Sequence, residues 1–397
     1  MNYQFPSLDS QIEATLAGLS PADRARSKVV ASPYRICPIG AHIDHQGGPV
    51  LGVAIDAYTV LAFAPAADGA VRLTSADFEG QIRFDVAVQP DKPADWGRYC
   101  RGALFALKQL FPGQIKLGWT GHISGRLLGA GLSSSASAGV AYLMAFAEVN
   151  ELSLSQAELV ELDRIIENEY LGLNNGVQDQ TTSIYGRADG IVRQDTLKRQ
   201  VEMVPHGPGV EDVAWVIIFS GYTRELTSSD FNKRVGECWQ AAGLLTPNGK
   251  ILSDAADAEF EAQKALLPPH LARRAAHFFT ERERVNLGQD LWAAGDFAAF
   301  GAAMNRSCQS SIDQYECGSE PLIALQAIAS KTDGVLGSRF SGGGFGGCLV
   351  ALAERGKAEH AIEQVLHRYR PLYPDKAAVC AGWIANGVDG AKIIVNG

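Results

Sequence analysis

Seven cysteines in 397 residues, at positions 37, 100, 238, 308, 317, 348 and 380, are odd in number and show no C-x-x-C spacing. That argues against a disulfide scaffold or a zinc ribbon and fits reduced thiols. No apolar run approaches the roughly 20 residues that span a bilayer; Val213–Phe219 is far short, and the run after Val50 is broken by Asp56. Nor is there an excess of positive charge. Lys and Arg number 35 against 44 Asp and Glu, a formal net charge of −9, which argues against nucleic acid or an anionic membrane as partner. A nucleotide stays open, because backbone amides and local basic groups hold phosphate in an acidic protein. Residues 1–6 carry neither a basic nor an apolar signal segment, so the expected location is cytoplasmic. No GxxxxGK[ST] motif occurs, which removes the common P-loop nucleotidases. Internal repeats, low-complexity tracts and heptads are also absent.

What is present centres on residues 127–137, LLGAGLSSSAS, followed by a small apolar run of helix length at 138–146. Three serines lie where helix N-cap residues belong. A glycine-rich turn feeding a helix N-terminus offers free N–H groups and the positive end of a helix dipole, a ready phosphate site. Taken alone, the stretch reads first as an ordinary flexible turn before a core helix.

The length suits two domains, and the composition, 46% apolar and 20% charged, is that of a globular protein. A short amphipathic helix is expected within 8–28, a strand at 28–31 that enters a loop at Ser32-Pro33, and a polar loop over 34–49. Strands are expected at 50–63, 71–74, 81–86, 118–123, 191–204, 213–220, 348–353 and 377–385. Helical periodicity covers 96–110, 137–149, 153–170, most of 228–294, 297–308, 320–330 and 358–369. Strands and helices do not alternate as in a parallel sheet, so the fold class is α+β. The boundary is set at 1–205 and 206–397.

Three further clusters carry chemistry. Residues 33–48 hold Arg35, His42, Asp44 and His45 among three glycines. Metal ligation is a weak reading there, and short polar side chains in a tight loop suit hydroxyl recognition. Residues 167–180 hold Glu167, Gly176 and Asp179; a helix cap and a solvated helix-face charge are the plain alternatives. Residues 337–347 formally contain GxGxxG, but a strand follows rather than a helix, so the dinucleotide-binding context is missing.

In order and spacing these clusters resemble the GHMP kinase superfamily, most closely its galactokinase-like branch. An RxxxxGxHxDxxxG loop is followed by GAGLSSSAS, then a GxxDQ loop, then a late SGGGFGG loop, and the likeness covers nearly the whole chain. The resemblance implies a two-lobed GHMP kinase fold, with a ribosomal-S5-like N-terminal lobe and a ferredoxin-like C-terminal lobe. ATP and a sugar would meet between them, and the anomeric hydroxyl would be phosphorylated. It implies that Gly129, Gly131, Ser133, Ser134, Ser135, Ala136 and Ser137 form the ATP phosphate loop. Ser135 and Glu167, twelve residues before Asp179, would hold Mg²⁺. Asp179 would be the catalytic carboxylate and Arg35 its partner. His42 and Asp44 would bind sugar hydroxyls beside Gly176. Gly343 and Gly344, within the late loop 342–347, would brace the active site. The implied chemistry is positioning and charge neutralisation rather than covalent catalysis.

The departures inform the substrate. Galactokinases carry Glu where this chain has Ala41, Tyr where it has His45, and a sugar-side Tyr where Phe231 aligns. The missing Glu ordinarily faces the C6 hydroxyl. Its removal is expected if the substrate carries a carboxylate there, because two nearby carboxylates repel. The whole 33–48 stretch is also similar to that of galacturonokinases, so D-galacturonate is the expected substrate, with D-galactose the alternative. Arg224, Lys233, Arg234 and His45 are the candidates for holding the sugar's carboxylate. A non-catalytic sugar sensor is the alternative of another class. No nucleic acid or membrane partner is expected, and the sequence leaves monomer or dimer open.

Overall fold

The computed structural model describes residues 3–223 and 229–395. A large sheet forms from β1 (Lys28–Ile39), β2 (Pro49–Ala66), β3 (Ala70–Ser75), β4 (Ile82–Asp85), β5 (Gly118–Ser124), β6 (Gly190–Asp195) and β7 (Gln200–Pro205). A second, four-stranded antiparallel sheet contains β8 (Val213–Phe219), β9 (Val335–Phe340), β10 (Cys348–Glu354) and β11 (Ala381–Ala385), in the order β11-β8-β10-β9. The last strand, β12 (Lys392–Val395), returns to the first sheet and pairs antiparallel with β1. A simple two-block division of the chain therefore does not describe its tail. No helix among the described residues is long and apolar enough to cross a membrane.

β1 extends well beyond the expected Ala31. It continues through Pro33 and Pro38 to Ile39, fully buried from Val29 onward. Its pairing with β2 shifts register immediately after Pro33 and again between Ile36 and Ile39. Such irregularities are where a sheet tolerates residues without an N–H donor. The consequence is functional, because Arg35 stands on a rigid strand rather than in a loop. The expected single strand at 191–204 is instead the hairpin β6–β7.

The helix Ser134–Val149 begins three residues earlier than expected and is buried on nearly all sides. Its apolar, small-residue composition allows it to pack against both β1 and β2 and the helices Arg98–Leu110 and Gln156–Arg164. In the C-terminal half, helices Glu320–Ala329 and Ala358–Tyr369 cover one face of the small sheet. Helices Pro269–Ala294 and Phe297–Asp313 cover the other face, and their core continues into Ile36, Ile39, Val50 and Leu51 of the large sheet. One apolar core thus joins the two halves and fixes the cleft between them.

The two glycine-rich loops meet backbone to backbone in that cleft. The N–H of Cys348 donates to the carbonyl of Ala130 at 2.8 Å. Gly347 has φ +104°, and a Cβ there would stand 2.3 Å from the Ala130 oxygen. Gly131 has φ +75°, and its Cβ would stand 2.7 Å from the Ser341 oxygen. Both positions combine a left-handed backbone with a close approach that only glycine permits. Gly347→Ala is expected to lower folding stability by about 1–3 kcal/mol. Urea unfolding measures this directly, and an unchanged midpoint would mean that the loops do not touch.

Candidate active site

Arg35 is the hub of the cleft. Its side chain is 4% exposed. Its Nε donates to Asp179 Oδ1 at 2.5 Å, and its Nη1 donates to the Gly131 carbonyl at 3.0 Å and to Ser341 Oγ at 3.4 Å. One guanidinium therefore ties the carboxylate to both glycine loops. Asp179 occupies the first turn of the helix Gln178–Tyr185 and remains partly exposed to the cleft. Its second oxygen accepts from the Ser133 hydroxyl. Ser133 stands at the N-cap position of Ser134–Val149 with φ +60°, but its side chain makes no cap hydrogen bond. Turned toward Asp179, it leaves the helix N-terminus open to a ligand.

The cleft wall includes Gly129, Gly131, Ser133, Ser134 and Ser135 from the serine-rich loop and Gly342, Gly343, Phe345 and Gly346 from the late loop. Three expected members of these loops lie elsewhere. Ala136 is fully buried. Ser137 is buried and donates to the Ser32 carbonyl at 2.7 Å, so it anchors the helix to β1. Gly344 lies off the cleft wall, and its carbonyl accepts from Ser319 N–H.

Opposite these loops, where sugar contacts were expected, the wall is formed by Cys37, Ala41, His42, Asp44, Leu173, Asn175, Gly176, Gln178 and Phe231. Gly176 is needed because a Cβ there would fall 2.1 Å from Asp44 Oδ2. Asp44 accepts from the Gln178 N–H at 3.2 Å. Burial, reinforced by the nearby Asp179 charge, pushes its carboxyl up to about 6. His42 stacks on Tyr315, with ring centroids 4.5 Å apart. His277 Nε2 donates to the Ala41 carbonyl at 3.0 Å and so fixes the backbone at that position.

Several expected sugar-side contacts are corrected. His45 lies off the wall: its Nε2 reaches the Tyr315 hydroxyl at 3.1 Å, and its Nδ1 accepts from Gln46 at 2.8 Å. Burial pushes it down to about 3, so it is neutral and supplies no charge for an acidic sugar. Lys233 is exposed, and Arg234 is committed to Glu237 and to the Glu316 carbonyl. Neither lines the cleft. Arg224 lies outside the described residues. Among the described residues, Arg35 is the one Lys or Arg on the wall.

Glu167 is 1% exposed and lies behind the wall, in the π-helical turn Ile165–Tyr170. Asn175 donates to it, and Tyr99 interacts with both Glu167 and Ser135. Burial, then the Asp179 charge, pushes the Glu167 carboxyl up to about 8. The donor set fits magnesium, which takes one or two protein oxygens and otherwise keeps water and substrate phosphate.

Sequence reasoning missed Asn175, Tyr99 and Ser341. Asn175 adjoins Gly176 in a motif already singled out and could have been found. Ser341 likewise opens the late SGGGFGG loop and could have been found, whereas Tyr99 had no signal, since it acts through partners distant in the chain.

The galactokinase galactose-binding signature matches residues 22–65, the GHMP kinase N-terminal domain 98–187 and the GHMP kinase C-terminal domain 289–371. A galacturonokinase from Arabidopsis thaliana is 40% identical, covering 100% of this chain and 97% of the relative. The chain belongs to the GHMP kinase family. Within it, this is a sugar kinase of the galactokinase branch. A galactokinase from Roseiflexus sp. (strain RS-1) is 34% identical over 85% of this chain and 87% of its own length. The crystal structure of Lactococcus lactis galactokinase complexed with galactose matches with TM-score 0.86 and 30% identity, covering 97% of this chain and 99% of that one. A mevalonate kinase at 15% identity and TM-score 0.64 shares the fold.

Proposed function

We propose that this GHMP kinase transfers the γ-phosphoryl group of ATP, with Mg²⁺, to the anomeric hydroxyl of D-galacturonate, giving galacturonate 1-phosphate. The observation that carries the substrate is Ala41, a carboxylate-free position on the sugar-side wall. A carboxylate there would face that of a uronate at short range. The likeness to a galacturonokinase along the full chain supports the same reading. D-Galactose is the alternative, favoured by the match to a galactose-binding signature.

In this reading Ser133, Ser134 and the open N-terminus of Ser134–Val149 receive the phosphates. Asp179 orients the attacking hydroxyl and accepts its proton. Arg35 orients Asp179 through its Nε–H bond to Oδ1 and stabilises charge on the transferring group. Mg²⁺, held by Ser135 and Glu167, would neutralise phosphate charge. Asp44, His42 and the Gly176 backbone hold the sugar, and Phe231 closes the wall.

Asp44 gives a pH prediction with two opposite signs. Its folded-state value of about 6 exceeds the ordinary 3.8. Ionisation therefore removes folding stability as pH rises through about 6. Sugar binding moves the other way, because the ionised carboxylate is the better acceptor. KM for the sugar is expected to rise as pH falls below about 6, and in Asp44→Asn this inflection is expected to vanish. A pH profile of kcat/KM for both enzymes checks it; an inflection retained in Asp44→Asn would assign it to another group.

The substrate is tested by following ADP release with ATP and Mg²⁺ against galacturonate, glucuronate, galactose and N-acetylgalactosamine. Galacturonate is expected to turn over fastest. Faster turnover of galactose would overturn the uronate assignment. Sugar binding without any turnover would point to a sensor.

A further inference from the structure

Behind the phosphate loop two helical faces meet. Ser135 and Gly139 are four residues apart on Ser134–Val149 and share a face. Asp163 and Glu167 are likewise four apart, where the helix Gln156–Arg164 runs into the π turn. The faces touch at one level and are bridged at the other. A Cβ at Gly139 would stand 2.0 Å from Asp163 Oδ1, and Tyr99 links Ser135 to Glu167.

Asp163 has no role in the chemistry described so far. It is fully buried, and neither carboxylate oxygen has a hydrogen-bond partner among the described residues. Burial, then the charges of Glu167 and Asp179, pushes its carboxyl well above the usual carboxylate range. A buried acid without partners is costly, and an apolar side chain of similar size would pack there without that cost. The glycine at 139 leaves the room it occupies. A buried, partnerless acid one turn behind a metal-type carboxylate is accounted for by a positive charge arriving on that side.

We infer that Asp163 is a positioning residue for the divalent cation, an acid that supplies a second negative charge when the cation arrives and so raises cation affinity from behind Glu167. The inference rests on the reading that Ser135 and Glu167 hold the cation. Groups of this kind, one layer out from the ligands, typically change metal affinity 10–100-fold.

The test uses the full chain with Mn²⁺ as the probe. Free Mn²⁺ is counted by electron paramagnetic resonance in the presence of ADP. Asp163→Asn, nearly isosteric, is expected to weaken Mn²⁺ binding about tenfold or more. ADP affinity in EDTA and sugar affinity are expected to stay unchanged. The thermal midpoint without cation is expected to stay level, since burial already holds Asp163 neutral there and Asn keeps its shape; a merely structural role would lower it instead. Asp163→Ser, smaller and neutral, serves as the second variant should Asn not fold, with the same loss expected. Glu167→Gln separates the two readings. Unchanged Mn²⁺ affinity in the Asp163 variants, with affinity lost in Glu167→Gln, would overturn the role of Asp163 alone. Unchanged affinity in Glu167→Gln would overturn the cation assignment beneath it.

Discussion

Asp179→Asn is expected to lower kcat about a thousandfold, inside the roughly 10²–10⁴ that a positioned proton acceptor contributes. Sugar affinity is expected to stay within a few fold, because Asn keeps the shape, its amide oxygen can still accept from Arg35, and its NH2 can donate to the Ser133 hydroxyl. Stability is the competing effect. Breaking a buried ion pair costs about 3–5 kcal/mol, and Arg35 is buried. Two features offset that cost here. Arg35 keeps its bonds to the Gly131 carbonyl and Ser341, and removing the Asp179 charge relieves Glu167 and Asp44, which it pushes up. The net loss is therefore expected to fall below that range, on the order of 1–2 kcal/mol, too little to unfold the enzyme. The same relief shifts the Asp44 inflection in sugar binding to lower pH. Steady-state kinetics together with calorimetric sugar binding separate these effects. Near-normal kcat would mean that this carboxylate does not meet the reacting hydroxyl.

Ala41→Glu is expected to lower kcat/KM for galacturonate about a hundredfold and for galactose less than tenfold. Two carboxylates about 6 Å apart at an effective dielectric constant of about 20 repel by about 2.8 kcal/mol, and about 1.4 kcal/mol is a factor of ten. With galactose the new group meets a hydroxyl, which it can accept from. His277 holds position 41 through its carbonyl, so the change acts through the side chain alone. Equal losses on both sugars would show that position 41 does not read C6.

Much of the site was legible because its residues come in short motifs that the fold keeps intact. The serine-rich loop, Arg35, Asp44, Gly176 and Asp179 could be read from four local stretches, and all five features converge on the cleft. What failed depended on partners distant in the chain. Pro33 suggested the end of a strand, yet a register shift in the pairing with β2 absorbs it. The pairing of β12 with β1 joins the ends of the chain and leaves no local signature. Ser133 occupies a capping position, but a carboxylate 46 residues away takes its hydroxyl. His45 was read as a charge for an acidic sugar, whereas burial beside Tyr315 keeps it neutral. Glu167 was singled out by its spacing to Asp179, but its burial behind Asn175 follows from a π turn that spacing does not disclose.

The central claim, that this kinase is built for a uronic acid, is tested most directly by competition. Equal concentrations of galacturonate and galactose are offered with limiting ATP and Mg²⁺, and the two sugar 1-phosphates are resolved by ³¹P NMR. The ratio reports relative kcat/KM without separate saturation curves. Galacturonate 1-phosphate is expected to exceed galactose 1-phosphate at least tenfold, the ratio that about 1.4 kcal/mol of discrimination gives. Equal products, or an excess of galactose 1-phosphate, would contradict the account.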